Sequence, residues 1–276
     1  MHGFPGALRI LGFGFLALFL CTVAFPIVVT VLTSLKAPNE VHLSPPTWLP
    51  AEPRFENYLL MFEALDLGRA LRNSVTVALG SAALVTLAAI PAGYALARYE
   101  FRGRRVFLLA ILAGLTFSPV VIIVSLYQIL NSFDLIDNYV GLILPNAAFA
   151  LPFSIWLSLA YIRSIPVDLD DAARVDGASM TQILVKVIVP LAAPGIATIF
   201  IFSAIQAWNE FLLANTFMVS DSMKPLPVVL YSFVGFRGIE WQFLSAAIVF
   251  ATVPAVALFL LVQRWLVSGL TGGAVK

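Results

Sequence analysis

The sequence predicts an all-α membrane protein. Six spanning helices are expected, with both termini cytoplasmic and a cytoplasmic helix–Gly–helix loop between the fourth and fifth. Three observations carry this. Hydrophobic residues make up 61% of the chain and charged residues 11%, against about 45–50% and about 25% in soluble domains, and the mean hydropathy is +0.96. Apolar runs of the length needed to cross hydrocarbon, about 20 residues of helix, recur along the chain. Lys and Arg are divided unequally between alternate connecting segments. The same composition excludes other classes. A net charge of +1 leaves no electrostatic surplus for nucleic acid. Cys21 is the only cysteine, so neither an internal disulfide nor a thiolate metal site can form.

The spans are expected near residues 10–32, 74–96, 106–126, 140–161, 195–213 and 243–262. Arg9 precedes the first run as it would in a signal peptide. That run is 23 residues long, however, and no small-x-small cleavage site appears before Lys36, so a retained helix is expected. The fifth run is interrupted by Gln206, Asn209 and Glu210. Prolines at Pro26, Pro91, Pro119, Pro145, Pro152 and Pro254 fall within the runs. There they kink helices whose freed carbonyls neighbouring helices re-satisfy.

Orientation follows from the basic residues, which are retained on the cytoplasmic side. With the N-terminus inside, the inner segments hold ten: Arg9, Arg98, Arg102, Arg104, Arg105, Arg163, Arg174, Lys186, Arg264 and Lys276. The outer segments hold six: Lys36, Arg54, Arg69, Arg72, Lys224 and Arg237. The four arginines between positions 98 and 105 lie in one short loop and weigh most.

The segment 164–193 is longer than a connector requires and reads as two short helices. The first, 168–176, opens with Asp168, Asp170 and Asp171 at the positive end of its dipole and stops at Gly177. Asp170 and Arg174, four apart, form an expected ion pair. The second opens with Ser179 and Gln182 in capping-box spacing. It carries Met180, Ile183, Leu184, Val187, Ile188 and Leu191 as an apolar stripe of helical period. A rigid elbow is expected, its apolar face seated under the bundle and its acidic tip in the cytosol as a docking surface.

Asp171-Ala172-Ala173, then Gly177 three residues on, then Val187-Ile188-Val189-Pro190 nine further on, resembles the EAA loop of permease subunits in binding-protein-dependent ATP-binding-cassette importers. The run from Ala172 to Ser179 is similar to the carbohydrate branch, in particular its MalG-like subunits. Matches extend to Ser34-Leu35-Lys36, Glu56-Asn57-Tyr58, Arg72-Asn73-Ser74, Tyr94-Ala95-Leu96-Ala97-Arg98 and Trp208-Asn209-Glu210-Phe211. The family's first acidic position is usually Glu, and Asp171 is one methylene shorter.

The resemblance implies a sugar permease subunit, for a di- or oligosaccharide, in the cytoplasmic membrane of a prokaryote. It implies that Asp170, Asp171, Ala172, Ala173, Arg174, Asp176 and Gly177 couple the chain to an ATPase. The implied partners are a second, MalF-like permease, two ATP-binding subunits that hold ATP and Mg, and an external solute-binding protein. The residues independently deny the chain its own ATP site. Its lysines, at positions 36, 186, 224 and 276, follow Leu35, Val185, Met223 and Val275, so no Gly-Lys pair and no P-loop exists.

Glu210 is the sharpest intramembrane polar candidate. With Trp208 to stack on a sugar ring and Asn209 to bond hydroxyls, it marks a candidate substrate path; a structural interhelical bond is the alternative. The resemblance places Lys224, Phe236 and Arg237 in an outer loop facing the binding protein. No catalytic or metal-ligating constellation appears, so an enzyme is disfavoured. A glycerol-phosphate importer is the nearest substrate alternative, although no arginine lies in the six cores. An ion-coupled secondary transporter would show internal duplication and charged midplane sites, and only Glu210 answers to that.

Overall fold

Long apolar helices dominate the computed structural model, which describes residues 6–64, 66–235 and 238–271. Among the described residues the one exception to helix and loop is a minimal antiparallel pair, β1 Val234–Gly235 with β2 Gly238–Ile239. The chain divides into two compact units, Met1–Leu67 with Leu230–Val253, and Gly68–Val229 with Pro254–Lys276.

In the first unit, α1 (Gly6–Ser34) is apolar on every side. Its Phe13, Phe15, Leu18 and Phe19 are all more than half exposed. A helix hydrophobic all round belongs in lipid or against other helices. Beyond it, α2 (Pro38–Val41) and α3 (Glu56–Ala64) form a clasp from two of the sequence matches. The buried Asn57 amide donates to the carbonyls of Ser34 at 2.9 Å and Lys36 at 3.0 Å. The Ser34 hydroxyl meets the Tyr58 hydroxyl at 2.8 Å. Glu40, also buried, accepts from Thr47 Oγ1 and the Ala51 N–H, each at 3.0 Å.

The second unit contains α4 (Leu67–Arg98), α5 (Arg104–Gly114), α6 (Pro119–Ser132) and α7 (Tyr139–Arg163). Then come α8 (Asp168–Val175), α9 (Met180–Ile183), a π-turn over Leu184–Ile188 and α10 (Val189–Leu191). The remaining helices are α11 (Ala193–Trp208), α12 (Leu212–Phe217) and α13 (Leu226–Tyr231), the last ending just past this unit. A final helix, α14 (Trp241–Thr271), runs from the first unit into the second. The core of the second unit is built on small residues: Ala89 of α4, Ala147 and Ala150 of α7, packed with Val85, Leu159 and Ile199. Small side chains let membrane helices approach closely. Gly93 is the extreme case, because a Cβ there would stand 2.3 Å from Ser158 Oγ and 2.9 Å from the Leu159 backbone nitrogen. We expect Gly93→Ala to cost about 1–3 kcal/mol by overpacking, measurable as a lowered unfolding temperature of the purified protein in detergent.

Of the six expected spans, the described residues bear out three to five as candidates. Among the described residues three helices, α1, α4 and α7, are long and apolar enough to cross a membrane singly. Two further candidates are bent pairs, α5 with α6 at 102° and Met180–Leu191 with α11 at 83°. The expected continuous helix 106–126 is broken at 115–118. Pro119 lacks an N–H to continue α5 and holds Ser118 extended, with φ −89° and ψ 132°. The expected span 195–213 ends at Trp208, and 212–217 is a separate helix. The run 243–262 lies within α14.

Candidate functional site

The elbow forms from local signals. At the end of α8 the Gly177 N–H donates to the Arg174 carbonyl and the Ala178 N–H to the Ala173 carbonyl, both at 3.0 Å. This double bond pattern is a Schellman stop, and it requires the φ of +79° that Gly177 adopts. Ser179 then caps α9 reciprocally: its N–H donates to Gln182 Oε1 at 2.8 Å, and its hydroxyl accepts from the Gln182 N–H at 3.4 Å. Pro190, with no N–H for the Lys186 carbonyl, accounts for the π-turn before it.

Packing seats the inner face. Ile183 and Ile188 are buried with Tyr94 of α4, Ile162 of α7, Ile165 and Ala192, and Ala173 packs against that cluster. Met180 and Leu191, at the ends of the expected stripe, are each 51% exposed. The stripe is therefore seated through its middle only.

Electrostatics rearranges the expected pairs. Asp170 does not bond Arg174; it is fully buried. Its Oδ2 accepts from Arg98 Nε at 3.0 Å and from the Tyr94 hydroxyl at 3.1 Å. The Arg98 Nη2 also donates to the Ile165 carbonyl at 2.9 Å. Arg174 instead pairs with Asp171 across 2.9 Å at the surface. The Tyr99 hydroxyl beside Arg174, with Asp171, pushes that guanidinium further up from its ordinary range. The acidic tip thus consists of Asp168, Asp171 and Asp176, while Asp170 is the rivet underneath. Ala172, Arg174, Val175 and Gly177 share the exposed side, and Val175 is 88% exposed. A large apolar side chain thus lies bare beside acidic groups on one small surface. Arg98 and Tyr94 were legible only as part of a motif and a charge count, because no spacing rule links residues on different helices. Val175 carried no signal beyond its neighbours.

Trp208, Asn209 and Glu210 stand where α11 ends and the next helix begins. Trp208 is buried, the exposed Asn209 amide donates back to the Ile205 carbonyl at 2.9 Å, and α11 ends there. Glu210 accepts from the Leu213 N–H at 2.7 Å and the Ala214 N–H at 2.9 Å, so its two oxygens cap the start of α12. A side-chain acceptor that satisfies a new helix's first N–H groups competes with continuing the old one. Glu210→Ala should therefore loosen the α11–α12 break by about 0.5–2 kcal/mol, seen as faster hydrogen exchange at Leu213 and Ala214. Glu210→Gln keeps one acceptor and should show less than half that change.

At the other end of α4, the buried Asn73 amide donates to the carbonyls of Ser222 at 2.9 Å and Lys224 at 3.0 Å. Its Oδ1 accepts from the Tyr139 hydroxyl at 2.6 Å, and Ser74 Oγ accepts from the Leu226 N–H at 2.7 Å. Lys224 is thereby fixed through its backbone while its ammonium pairs with Asp221. Phe236 and Arg237 lie outside the described residues. Asp137 completes this end: it accepts from the Val219 N–H at 3.0 Å, the Ser220 N–H at 2.9 Å and, at short range, the Ser220 hydroxyl. Partial burial works upward on its carboxyl. The Ser220 hydroxyl, the two N–H groups and the Lys224 ammonium outweigh that, holding it below the usual carboxylate range. The folded state therefore gains from this latch above the ordinary carboxylate pKa and loses it as pH falls through the lowered value. Protection of the Val219 and Ser220 amides should persist at neutral pH and disappear only below about 3.9, the unperturbed value. Asp137→Ala should remove it throughout.

Comparison with known proteins adds an independent finding. Residues 89–272 match the family model described as binding-protein-dependent transport system inner membrane component. The chain is 38% identical to the sulfoquinovosyl glycerol transport system permease protein SmoH of Agrobacterium fabrum, over 91% of this chain and 88% of that protein. It is 37% identical to the trehalose transport system permease protein SugB of Mycobacterium tuberculosis, over 83% and 84% respectively. It superposes on a chain from the crystal structure of a bacterial ABC transporter involved in the import of the acidic polysaccharide alginate. That match has a TM-score of 0.82 and 25% identity, covering 96% of this chain and 99% of that one.

Proposed function

This chain belongs to the family of binding-protein-dependent transport system inner membrane components, and from that premise we propose that it is a transmembrane permease subunit of an ATP-binding-cassette importer for a sugar. The observation that carries this is the elbow. One face is riveted to the bundle through Asp170, and the other presents Asp171, Ala172, Val175 and Asp176 bare to solvent. An ATP-binding subunit, which holds ATP and Mg, receives that tip. The lack of a Gly-Lys pair in this chain supports leaving the hydrolysis to such a partner.

In this reading the chain crosses the cytoplasmic membrane of a prokaryote six times, counting α5 with α6 as one bent span and α11 without the elbow helix before it, together with α1, α4, α7 and α14. Both termini and the elbow are cytoplasmic. The Asn73 end faces outward, toward a solute-binding protein. A second, MalF-like permease covers the apolar faces that α1 and α6 leave bare, and two ATP-binding subunits complete the assembly. The named cargoes of SmoH, SugB and the alginate importer are all glycosides, which supports a di- or oligosaccharide here. Closure of the ATP-binding subunits would supply the differential binding that shifts the permease between inward- and outward-open states.

The test is reconstitution. Proteoliposomes carrying this chain, its partner permease, both ATP-binding subunits and a saccharide-loaded binding protein should accumulate labelled saccharide only with internal ATP. Uptake driven by an ion gradient without ATP would overturn the reading.

A further inference from the structure

The two hydrogen-bonded anchorages described above sit at opposite ends of one helix. Arg98 is the last residue of α4, and its side chain is 4% exposed where it meets Asp170 at 0%. Asn73 lies near the start of the same helix, fully buried, and holds the backbone of Ser222 and Lys224. At 1.5 Å per residue the 25 steps between them span about 37 Å. Pro91 removes one bond along the way. The helix is held there by the Gly93 contact with Ser158 and Leu159 of α7, too tight for a Cβ. Both anchors use charged or amide groups that each make two or more bonds, so neither end slides without exposing unsatisfied buried groups.

We propose that α4 is a strut between the two partner faces, with Arg98 and Asn73 as its positioning residues: Arg98 fastens it to the elbow, and Asn73 fastens it to the loop Ser222–Leu226. The proposal rests on the reading of the elbow as the ATPase dock and of the Asn73 end as the binding-protein face. It adds the path between them. Displacement of the loop moves α4 as a body and reaches Asp171 and Val175 through Asp170.

The experiment compares, in the complete reconstituted importer, basal ATP hydrolysis and hydrolysis stimulated by the loaded binding protein. In Arg98→Met and in Asn73→Ala the ratio of stimulated to basal hydrolysis should fall by about fivefold or more, the lower end of coupling between distinct sites. Saccharide moved per ATP should fall with it. The double variant should do no worse than either single one, because both cut the same strut. Stimulation within about twofold of the wild type, less than that coupling range, would overturn the proposal, as would losses that multiply in the double variant. If a truncated variant does not assemble, Arg98→Lys and Asn73→Gln are read instead. They retain charge or amide but displace it, and wild-type stimulation in them counts equally against the strut. Failure of the underlying reading is separate. It would appear as no cross-link between the ATP-binding subunit and Val175→Cys, made on a Cys21→Ser background, in the otherwise unaltered complex.

Discussion

Gly177→Pro should abolish ATP-dependent uptake while the chain remains inserted and the Arg98–Asp170 bond remains made. The residue sits at φ +79°, which proline, fixed near −65°, cannot adopt. Proline also removes the N–H that reaches the Arg174 carbonyl at 3.0 Å. The Schellman stop is lost, α8 and α9 separate, and the tip residues Asp171, Val175 and Asp176 leave their common surface. Gly177→Ala separates conformation from bulk. A Cβ there meets nothing within 4 Å, so only the left-handed backbone is penalised, by about 1–2 kcal/mol, and uptake should be reduced rather than lost. Asp171→Arg should also abolish uptake by a different route, since it sets a second guanidinium beside Arg174 and cancels the net negative charge of the tip. ATP-dependent transport measured in proteoliposomes checks all three.

Asp170→Ala should be the most destabilising single substitution in the elbow. It strands Arg98, whose side chain is 4% exposed, as an unpaired buried cation, and breaking such a pair by removing one partner costs about 3–5 kcal/mol. The Tyr94 hydroxyl, buried on the same carboxylate, loses its acceptor as well. By contrast, Asp171→Ala cuts an ion pair whose side chains are 46% and 59% exposed, so less than about 1 kcal/mol is expected. Thermal unfolding in detergent and proteolysis at the exposed Val175 should rank Asp170→Ala far above Asp171→Ala. Replacing both Arg98 and Asp170 by apolar residues of similar size should recover much of the stability, because the unpaired charge is gone.

These outcomes separate what was legible in the chain from what was not. Local signals read correctly. The S-x-x-Q spacing of Ser179 and Gln182 forms its capping box, and Gly177 stops α8 in the left-handed region. The apolar runs lie in helices, because a spanning helix satisfies its own backbone and needs little help from distant residues. Where a run contains a competing local device, hydropathy overrode it wrongly: Pro119 breaks 106–126, and the Glu210 carboxylate ends α11 and starts α12. Pairing across helices was the real blind spot. Asp170 with Arg174 obeys a helix-surface rule, yet the carboxylate turns inward to Arg98, a residue 72 positions away. Burial decided between the two partners, and burial belongs to the fold. The matches Ser34-Leu35-Lys36 with Glu56-Asn57-Tyr58 likewise proved to be two halves of one clasp, which neither half declares alone.

Whether an ATP-binding partner seats on the elbow tip is decided by site-directed cross-linking. On a Cys21→Ser background, a cysteine is placed at Val175, 88% exposed on the tip, or at Val121, 79% exposed on α6. Each variant is assembled into the full importer and cross-linked with and without nucleotide. A product between position 175 and the ATP-binding subunit is expected, its yield changing with nucleotide, and none from position 121. No product from position 175, or equal products from both positions, would contradict it.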